Sequence, residues 1–245
     1  MPRFFVNKEN INEEKILISG SDAHHIARSL RMAEGDGVTV CDGEGMEYDC
    51  TLVRIRDEEC ECKILAKAES ERESPVSITL CMAYPKGDKL EVVIQKAVEL
   101  GASRIVPFES SRCIKRPKAE KIDKQLARLN KIAEEAAKQC GRARIPVVAA
   151  PCSFGAMLTE AKKSSLALLC YEDERGTSIK KVLTECQKPD SIAVIIGSEG
   201  GFSPEEAEAA VSEGAVAVTL GKRILRCETA PAFALSAIAY EMELL

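Results

Sequence analysis

Residues 195–206 read I-I-G-S-E-G-G-F-S-P-E-E, and residues 217–230 read A-V-T-L-G-K-R-I-L-R-C-E-T-A. Each stretch is a glycine-bearing turn placed directly after a β-like run. Ile192–Ile196 is apolar and β-branched and stops at Gly197, as a buried strand would. Val216–Leu220 stops in the same way at Gly221. Glycines in the first loop let a ligand approach the main chain. Ser203-Pro204-Glu205-Glu206 then opens a helix, with a capping hydroxyl, proline in the first turn and acids against the dipole. Thr229 opens another. Two neighbouring strand ends that carry glycine loops predict a ligand crevice at the carboxyl edge of an α/β sheet.

Elimination narrows the ligand. A phosphate-binding P-loop needs G-x-x-x-x-G-K-[ST], and Gly221-Lys222 is followed by Arg223. A dinucleotide fingerprint needs G-x-G-x-x-G opening a helix. Gly43-Glu44-Gly45 comes nearest, but it lacks both the third glycine and the helical pattern. Either loop alone reads equally well as a plain tight turn. The pair together holds one acid, Glu199, and three bases, Lys222, Arg223 and Arg226, and so points to a ligand.

The chain has 245 residues, 45% of them hydrophobic, with no tryptophan and 4% aromatics, so its core must be aliphatic. No apolar run is long enough to span a bilayer, and M-P-R-F-F-V-N-K-E-N has no apolar core of signal-peptide length. The 11 cysteines are scattered without a C-x-x-C, and Cys60 and Cys62 share one side of a probable strand. His24 and His25 lie far from other candidate ligands. We expect no metal site and reduced thiols in a cytoplasmic protein. The net charge is −5, unevenly spread. Residues 1–73 carry seventeen acids against ten bases, residues 86–146 fifteen bases against eight acids, and residues 147–245 fourteen acids against nine bases. The basic middle is a possible nucleic-acid surface, although the amphipathic segment Lys121–Lys138 accounts for part of it.

Along the chain, Ser21–Met32 predicts a helix capped by Ser21 or Asp22. Val38–Cys41, Glu47–Ile55 and Cys60–Ala66 predict strands of a small barrel. Residues 69–75 form a charged linker ended by Pro75. Strands and helices then alternate as in an α/β domain. Strands are expected at Val76–Ala83, Arg104–Phe108, Leu166–Tyr171, Ile192–Ile196 and Val216–Leu220. A helix opened by Asp88 buries Leu90, Val93, Ile94, Ala97 and Val98, and a longer one at Lys121–Gln139 buries Ile122, Leu126, Leu129, Ile132, Ala133 and Ala136. The last helix, Thr229 to Met242, has almost no polar face, which predicts burial on all sides and a partner subunit.

I-G-S-E-G-G-F-S-x-x-E followed by L-G-x-R-I-L-R-x-E-T-A resembles the SPOUT class of S-adenosylmethionine-dependent RNA methyltransferases. It is most similar to the ribosomal small-subunit RNA uracil-N3 methyltransferase family. R-F-F-V near the start, K-G-D-K-L-E-V-V-I-Q-K-A-V-E-L-G at 86–101, S-S-R-C at 110–113 and E-E-A-A-K-Q-C-G-R at 134–142 extend the resemblance over the whole chain. Ser198 stands where that family usually has proline, and Cys140 where serine is common. The resemblance implies a PUA-like RNA-binding β-barrel at residues 1–72 and an α/β SPOUT domain at 73–245, with a mostly parallel sheet and a carboxyl-terminal trefoil knot. It also implies a homodimer that acts on 16S ribosomal RNA, as part of the small subunit, with S-adenosyl-L-methionine as sole cofactor. The general rules of chain topology would instead predict an unknotted open sheet.

Methylation at uracil N3 needs a base to take the proton and cations near the flanking carbonyl oxygens. Glu199 is the first candidate base and Glu172 the second, with Arg226, Arg223 and Lys222 as the cations. Glu199 reads alternatively as a brace for loop amides, and Arg223 as an ion-pair partner of Glu228. The cofactor is expected on Ile196, Gly197, Gly201, Leu220, Gly221, Ile224 and Leu225, with Leu169 to Glu172, including Tyr171, as a third wall. RNA contacts are expected from Arg112, Lys115, Arg116, Lys118, Arg142 and Arg144, and locally from Arg3, Arg28 and Arg31. Residue types leave two other readings open: a SPOUT enzyme acting on a ribose 2′-hydroxyl or on transfer RNA, and a non-catalytic RNA-binding assembly factor.

Overall fold

In the computed structural model of the chain, the β-forming runs between Arg3 and Glu69 become five strands: β1 (Arg3–Phe5), β2 (Lys15–Ser19), β3 (Gly37–Cys41), β4 (Met46–Ile55) and β5 (Glu59–Glu69). They form one mixed sheet, ordered β1-β3-β4-β5-β2, in which only β1 and β3 are parallel. Register shifts between Asp49 and Cys50 and between Leu52 and Arg54 let the two long strands bend. Ile16, Ile18, Val38, Val40 and Leu52 form the core of this PUA-like barrel. Helix α1 (Ser21–His24) and the π-helical turn His25–Ser29 add Ala23 and Ile26 to it. Cys60 and Cys62 point to the same side and are buried in that core. Burial pushes the Cys50 and Cys62 thiols up to about 12, so they behave as small apolar residues. All eleven cysteines are free.

The structure describes residues 1–114, 116 and 119–243. Two compact units result, Met1–Glu73 with Ala137–Ile145, and Ser74–Ala136 with Pro146–Leu245. A cut at 72/73 therefore leaves out residues 137–145, which pack with the first unit. The Glu73 carboxylate explains this: it accepts from Arg142 Nε and Nη2 at 3.1 and 2.8 Å and from the Ala143 and Arg144 amides at 3.0 Å each. Within this unit the expected helix at 21–32 is cut short. Its cap is Gly20, at φ +67, rather than Ser21 or Asp22, and Arg31 turns left-handed at φ +51.

The second unit begins with β6 (Ser77–Ala83), α2 (Lys89–Glu99), β7 (Ala102–Glu109) and α3 (Ile122–Cys140), whose last turn falls in the first unit. Next come β8 (Val147–Val148), β9 (Cys152–Ser153), α4 (Phe154–Ala161), β10 (Leu166–Cys170) and α5 (Ile179–Glu185). β11 (Ser191–Ile196), α6 (Pro204–Ser212), β12 (Val216–Val218) and α7 (Thr229–Met242) complete it. All strand pairs are parallel, in the order β12-β10-β11-β6-β7-β8, with β9 also on β7. This is the α/β sheet expected of a SPOUT domain. Ser203 caps α6 in a full capping box with Glu206, behind Pro204. The predicted apolar face of α2 is buried residue for residue. On α3, Leu129, Ala133 and Ala136 are buried, whereas Ile122, Leu126 and Ile132 are only half-buried.

Within a single chain the last helix is covered on one side only. α7 buries Pro231, Ala234, Leu235, Ile238 and Met242, but Phe233 and Tyr240 are 42% and 71% exposed. Its alanines give an apolar composition without an inward direction on every side, so one face remains open. Among the described residues no helix is long and apolar enough to cross a membrane.

Candidate active site

Sheet register fixes the site. Met82, Ile196, Cys170 and Val218 lie in one row across β6, β11, β10 and β12, so the loops leaving these strands emerge along one edge. A cleft of about 580 Å³ opens there, floored by Gly197 to Gly201 and walled by residues 219–227. The first loop doubles back on itself, with the Gly201 amide donating to the Ser198 carbonyl at 3.0 Å. A methyl group at Gly197 would sit 3.0 Å from the Gly201 Cα. Gly201 itself is left-handed, at φ +62, and a Cβ there would lie 1.7 Å from the Glu172 Oε1. Only glycine allows both the turn and the approach of that carboxylate. The loop exit is anchored by Phe202, buried between Phe108 and Phe154 with ring centroids 6.4 Å away in each case.

The expected cofactor residues Tyr171, Ile196, Gly197, Gly201, Leu220, Gly221, Ile224 and Leu225 all line this cleft. Leu169 does not: it is fully buried inside β10, a strand of the parallel sheet that is buried on both faces from Ala167 to Cys170. Glu172, Glu199 and Arg226 line the cleft as well. Their partners differ. Glu199 accepts from the Lys86 amide at 3.2 Å and pairs with Lys89 Nζ at 3.1 Å. Burial pushes its carboxyl up, but hydrogen bonds from its own amide, from Lys89 and from Lys86 outweigh this and hold it below the usual range. A carboxylate so stabilised is a poor proton acceptor. Glu172 is exposed and, among the described residues, has no hydrogen-bond or ion-pair partner. Lys222, Arg223 and Arg226 likewise have no side-chain partner among the described residues. Glu228 pairs with Lys89 at 3.2 Å rather than with Arg223.

Lys89 was not anticipated. It lies in the K-G-D-K-L-E block, where local pattern marks it only as the first residue of a helix, and both its acidic partners are more than a hundred residues away. Cys227 beside it is buried, and desolvation pushes its thiol up to about 12.

The expected RNA-binding arginines fall into two groups. Arg3 and Arg142 are corrected to structural roles. Arg3 is held by the Glu47 carboxylate at 3.1 Å and by the Cys41 sulfur at 2.8 Å, and Arg142 is 4% exposed and paired with Glu73. Arg28, Arg31, Arg116 and Arg144 are exposed, Arg28 against Asp57 and Arg116 at 3.6 Å from Glu109. Arg112 is exposed but committed in part, donating from Nη1 to the Gly200 carbonyl at 3.0 Å. It braces the glycine loop, and the Ser198 hydroxyl donates to its carbonyl at 3.4 Å. Lys115 and Lys118 lie outside the described residues. No group of three or more potential metal ligands is gathered among the described residues.

A parallel sheet whose carboxyl edge carries two facing glycine loops, in a chain that also has a PUA-like barrel, defines a SPOUT-class methyltransferase fold. The RNA methyltransferase domain family matches residues 72–239 and the RNA methyltransferase PUA domain family residues 18–65. The chain belongs to the RNA methyltransferase family. It is 35% identical to the ribosomal RNA small subunit methyltransferase E of Bacillus subtilis, over 100% of this chain and 98% of that protein. A crystal structure of a ribosomal RNA small subunit methyltransferase E from Neisseria gonorrhoeae bound to S-adenosyl methionine superposes with a TM-score of 0.85 at 32% identity, covering 98% of this chain and 97% of the other. A putative methyltransferase from Legionella pneumophila, in complex with the bound cofactor, matches equally at 0.85 and 32%, over 97% and 96%.

Proposed function

We propose that this protein transfers the methyl group of S-adenosyl-L-methionine to N3 of a specific uridine in 16S ribosomal RNA. The cleft carries the reading: bare main chain at Gly197 and Gly201, an apolar wall and three cations with no side-chain partner among the described residues share one space. The names of the relatives, and the cofactor bound in the similar structures, support it. The residues present fit that cofactor. Half-buried Leu220 and Leu225 and the exposed Ile224 offer aliphatic faces to an adenine, and glycine main chain offers amides and carbonyls to its edge. When bound, S-adenosylmethionine supplies an already activated methyl group on a sulfonium.

The residues have two further tasks. The uracil N3 proton must leave, and the resulting charge spreads to the neighbouring carbonyl oxygens. Arg226, with Arg223 and Lys222, holds that charge. Glu172 takes the proton as general base, and Glu199 braces the loop. This reverses the order expected from sequence, because Glu199 is occupied by Lys89 and Lys86 and Glu172 is free.

Residues 1–73 with 137–145 serve as a PUA-like RNA-binding module, and residues 74–136 with 146–245 as the methyltransferase domain. Phosphates are met by Arg28, Arg31, Arg112, Arg116 and Arg144. A second copy of the chain covers the open stripe of α7. A trefoil knot threads the carboxyl terminus, a reading that rests on the family likeness. The enzyme works in the cytoplasm, without a metal, on RNA of the assembled small subunit. Mass mapping of modified nucleotides in small-subunit RNA from cells lacking the protein tests the reading. One N3-methyluridine should disappear, and loss of a 2′-O-methyl nucleotide or of a transfer-RNA methyl group instead would overturn the acceptor.

A further inference from the structure

We infer that Lys89 is a positioning residue for methyl transfer: its ammonium ties the first glycine loop to the second through Glu199 and Glu228 and so sets the gap between them. The inference rests on the methyltransferase reading of the cleft. Lys89 Nζ lies 3.1 Å from the Glu199 Oε1 and 3.2 Å from the Glu228 Oε2, and it also donates to the Cys227 Sγ at 3.8 Å. An ammonium has three N–H donors, and here each has one acceptor. A planar guanidinium, with its donors fixed in one fork, would not reproduce this arrangement.

The loops joined in this way start from different strands. Glu199 follows β11 and Glu228 follows β12, and these strands flank β10 on opposite sides. With no cation between them, the two carboxylates would repel. Glu199 is gripped a second time by the Lys86 amide, so one short segment, 86–89, holds the first loop at two points. At the other end, Glu228 lies inside the turn whose Thr229 and Ala230 amides donate to the Arg226 carbonyl at 2.8 and 2.9 Å. The position of Glu228 therefore fixes the turn that carries Arg226. Lys89 thereby links the segment after β6 to the cation that faces the acceptor base.

A double-mutant cycle tests this, with cofactor affinity by titration calorimetry and steady-state kinetics on small-subunit RNA. Lys89→Met should weaken S-adenosylmethionine binding roughly tenfold and lower kcat about 100-fold, the scale of losses from misplacing reacting groups. Lys89→Arg should recover part of the affinity but less of kcat. In a Glu199→Gln, Glu228→Gln background, Lys89→Met should cost nothing further, because there is no longer anything to tie. The inference is overturned if a folded Lys89→Met variant keeps both parameters, or if its loss is undiminished in the double-Gln background, which would mean that Lys89 touches the ligand directly. Should Lys89→Met fail to fold, Lys89→Gln carries the same cycle. Failure of the wild-type protein to bind the cofactor or methylate the RNA would instead count against the methyltransferase reading.

Discussion

Replacing Gly201 with alanine concentrates two separable penalties on one atom. The backbone sits at φ +62, where an L-residue costs about 1–2 kcal/mol. The new Cβ would lie 1.7 Å from the Glu172 Oε1, so that carboxylate must swing away from the cleft floor. The backbone strain alone should lower Tm by about 2–8 °C for a chain of this size. If the strained loop conformation is the one that receives the cofactor, affinity should fall roughly 5–30-fold. Scanning calorimetry and titration with S-adenosylmethionine measure both. Gly155→Ala is the matched control. Gly155 is the second residue of α4, with nothing within 4 Å of its added Cβ and no left-handed φ, so this change should leave Tm unchanged or slightly raised. Adding Glu172→Ala to Gly201→Ala removes the collision but leaves the strain. The double variant should therefore recover little stability. Wild-type Tm and affinity in Gly201→Ala would refute this account of the loop.

Glu172→Gln should lower kcat by roughly 10²–10⁴-fold with little change in cofactor affinity, as for loss of a general base, whereas Glu199→Gln should weaken cofactor affinity and lower kcat together by loosening the Lys89 tie; a kcat loss in Glu199→Gln with cofactor affinity intact would restore Glu199 as the base. Arg116→Ala with Arg144→Ala should flatten the salt dependence of RNA binding by about one unit of slope per lost phosphate contact, while Arg112→Ala should also weaken cofactor binding through the Gly200 carbonyl. Tyr240→Glu should turn a dimer into monomers in light scattering, and an already monomeric wild type would remove the partner from α7. Glu47 is opposed by burial, but Arg3 and Ser70 hold its carboxyl below its ordinary 4.5. Its contribution to stability is therefore complete above 4.5 and lost as pH falls through the lower folded value, and Glu47→Gln should flatten that acid limb in pH-dependent melts.

Much of the second unit was legible because its strands are buried on both faces. Ser191–Ile196 and Leu166–Cys170 are continuous apolar runs that need no partner to be recognised. The helix start at Ser203 is a local signal, and the structure completes it with a capping box to Glu206. By contrast, β1 has three residues, too few to show a period, and β2 is a sheet edge whose exposed ends dilute its pattern. The site divided along the same line. Glycine loops announce themselves in sequence, whereas Lys89 depends on acids that only the fold brings near. Arg3 and Arg142 looked like free cations because their carboxylate partners lie 44 and 69 residues away.

The return of residues 137–145 to the first unit bears on how the chain acquires its structure during synthesis. When Glu73 has left the ribosome, all five strands of the barrel are present, but the partners of that carboxylate are not yet made. The nascent barrel must wait through β6, α2, β7 and α3 before Arg142 and Arg144 arrive, several seconds at about 5–20 residues per second. Its closure is therefore timed by the segment inserted into it. An amino-terminal fragment cut at the end of β5 would lack the strap that finishes it.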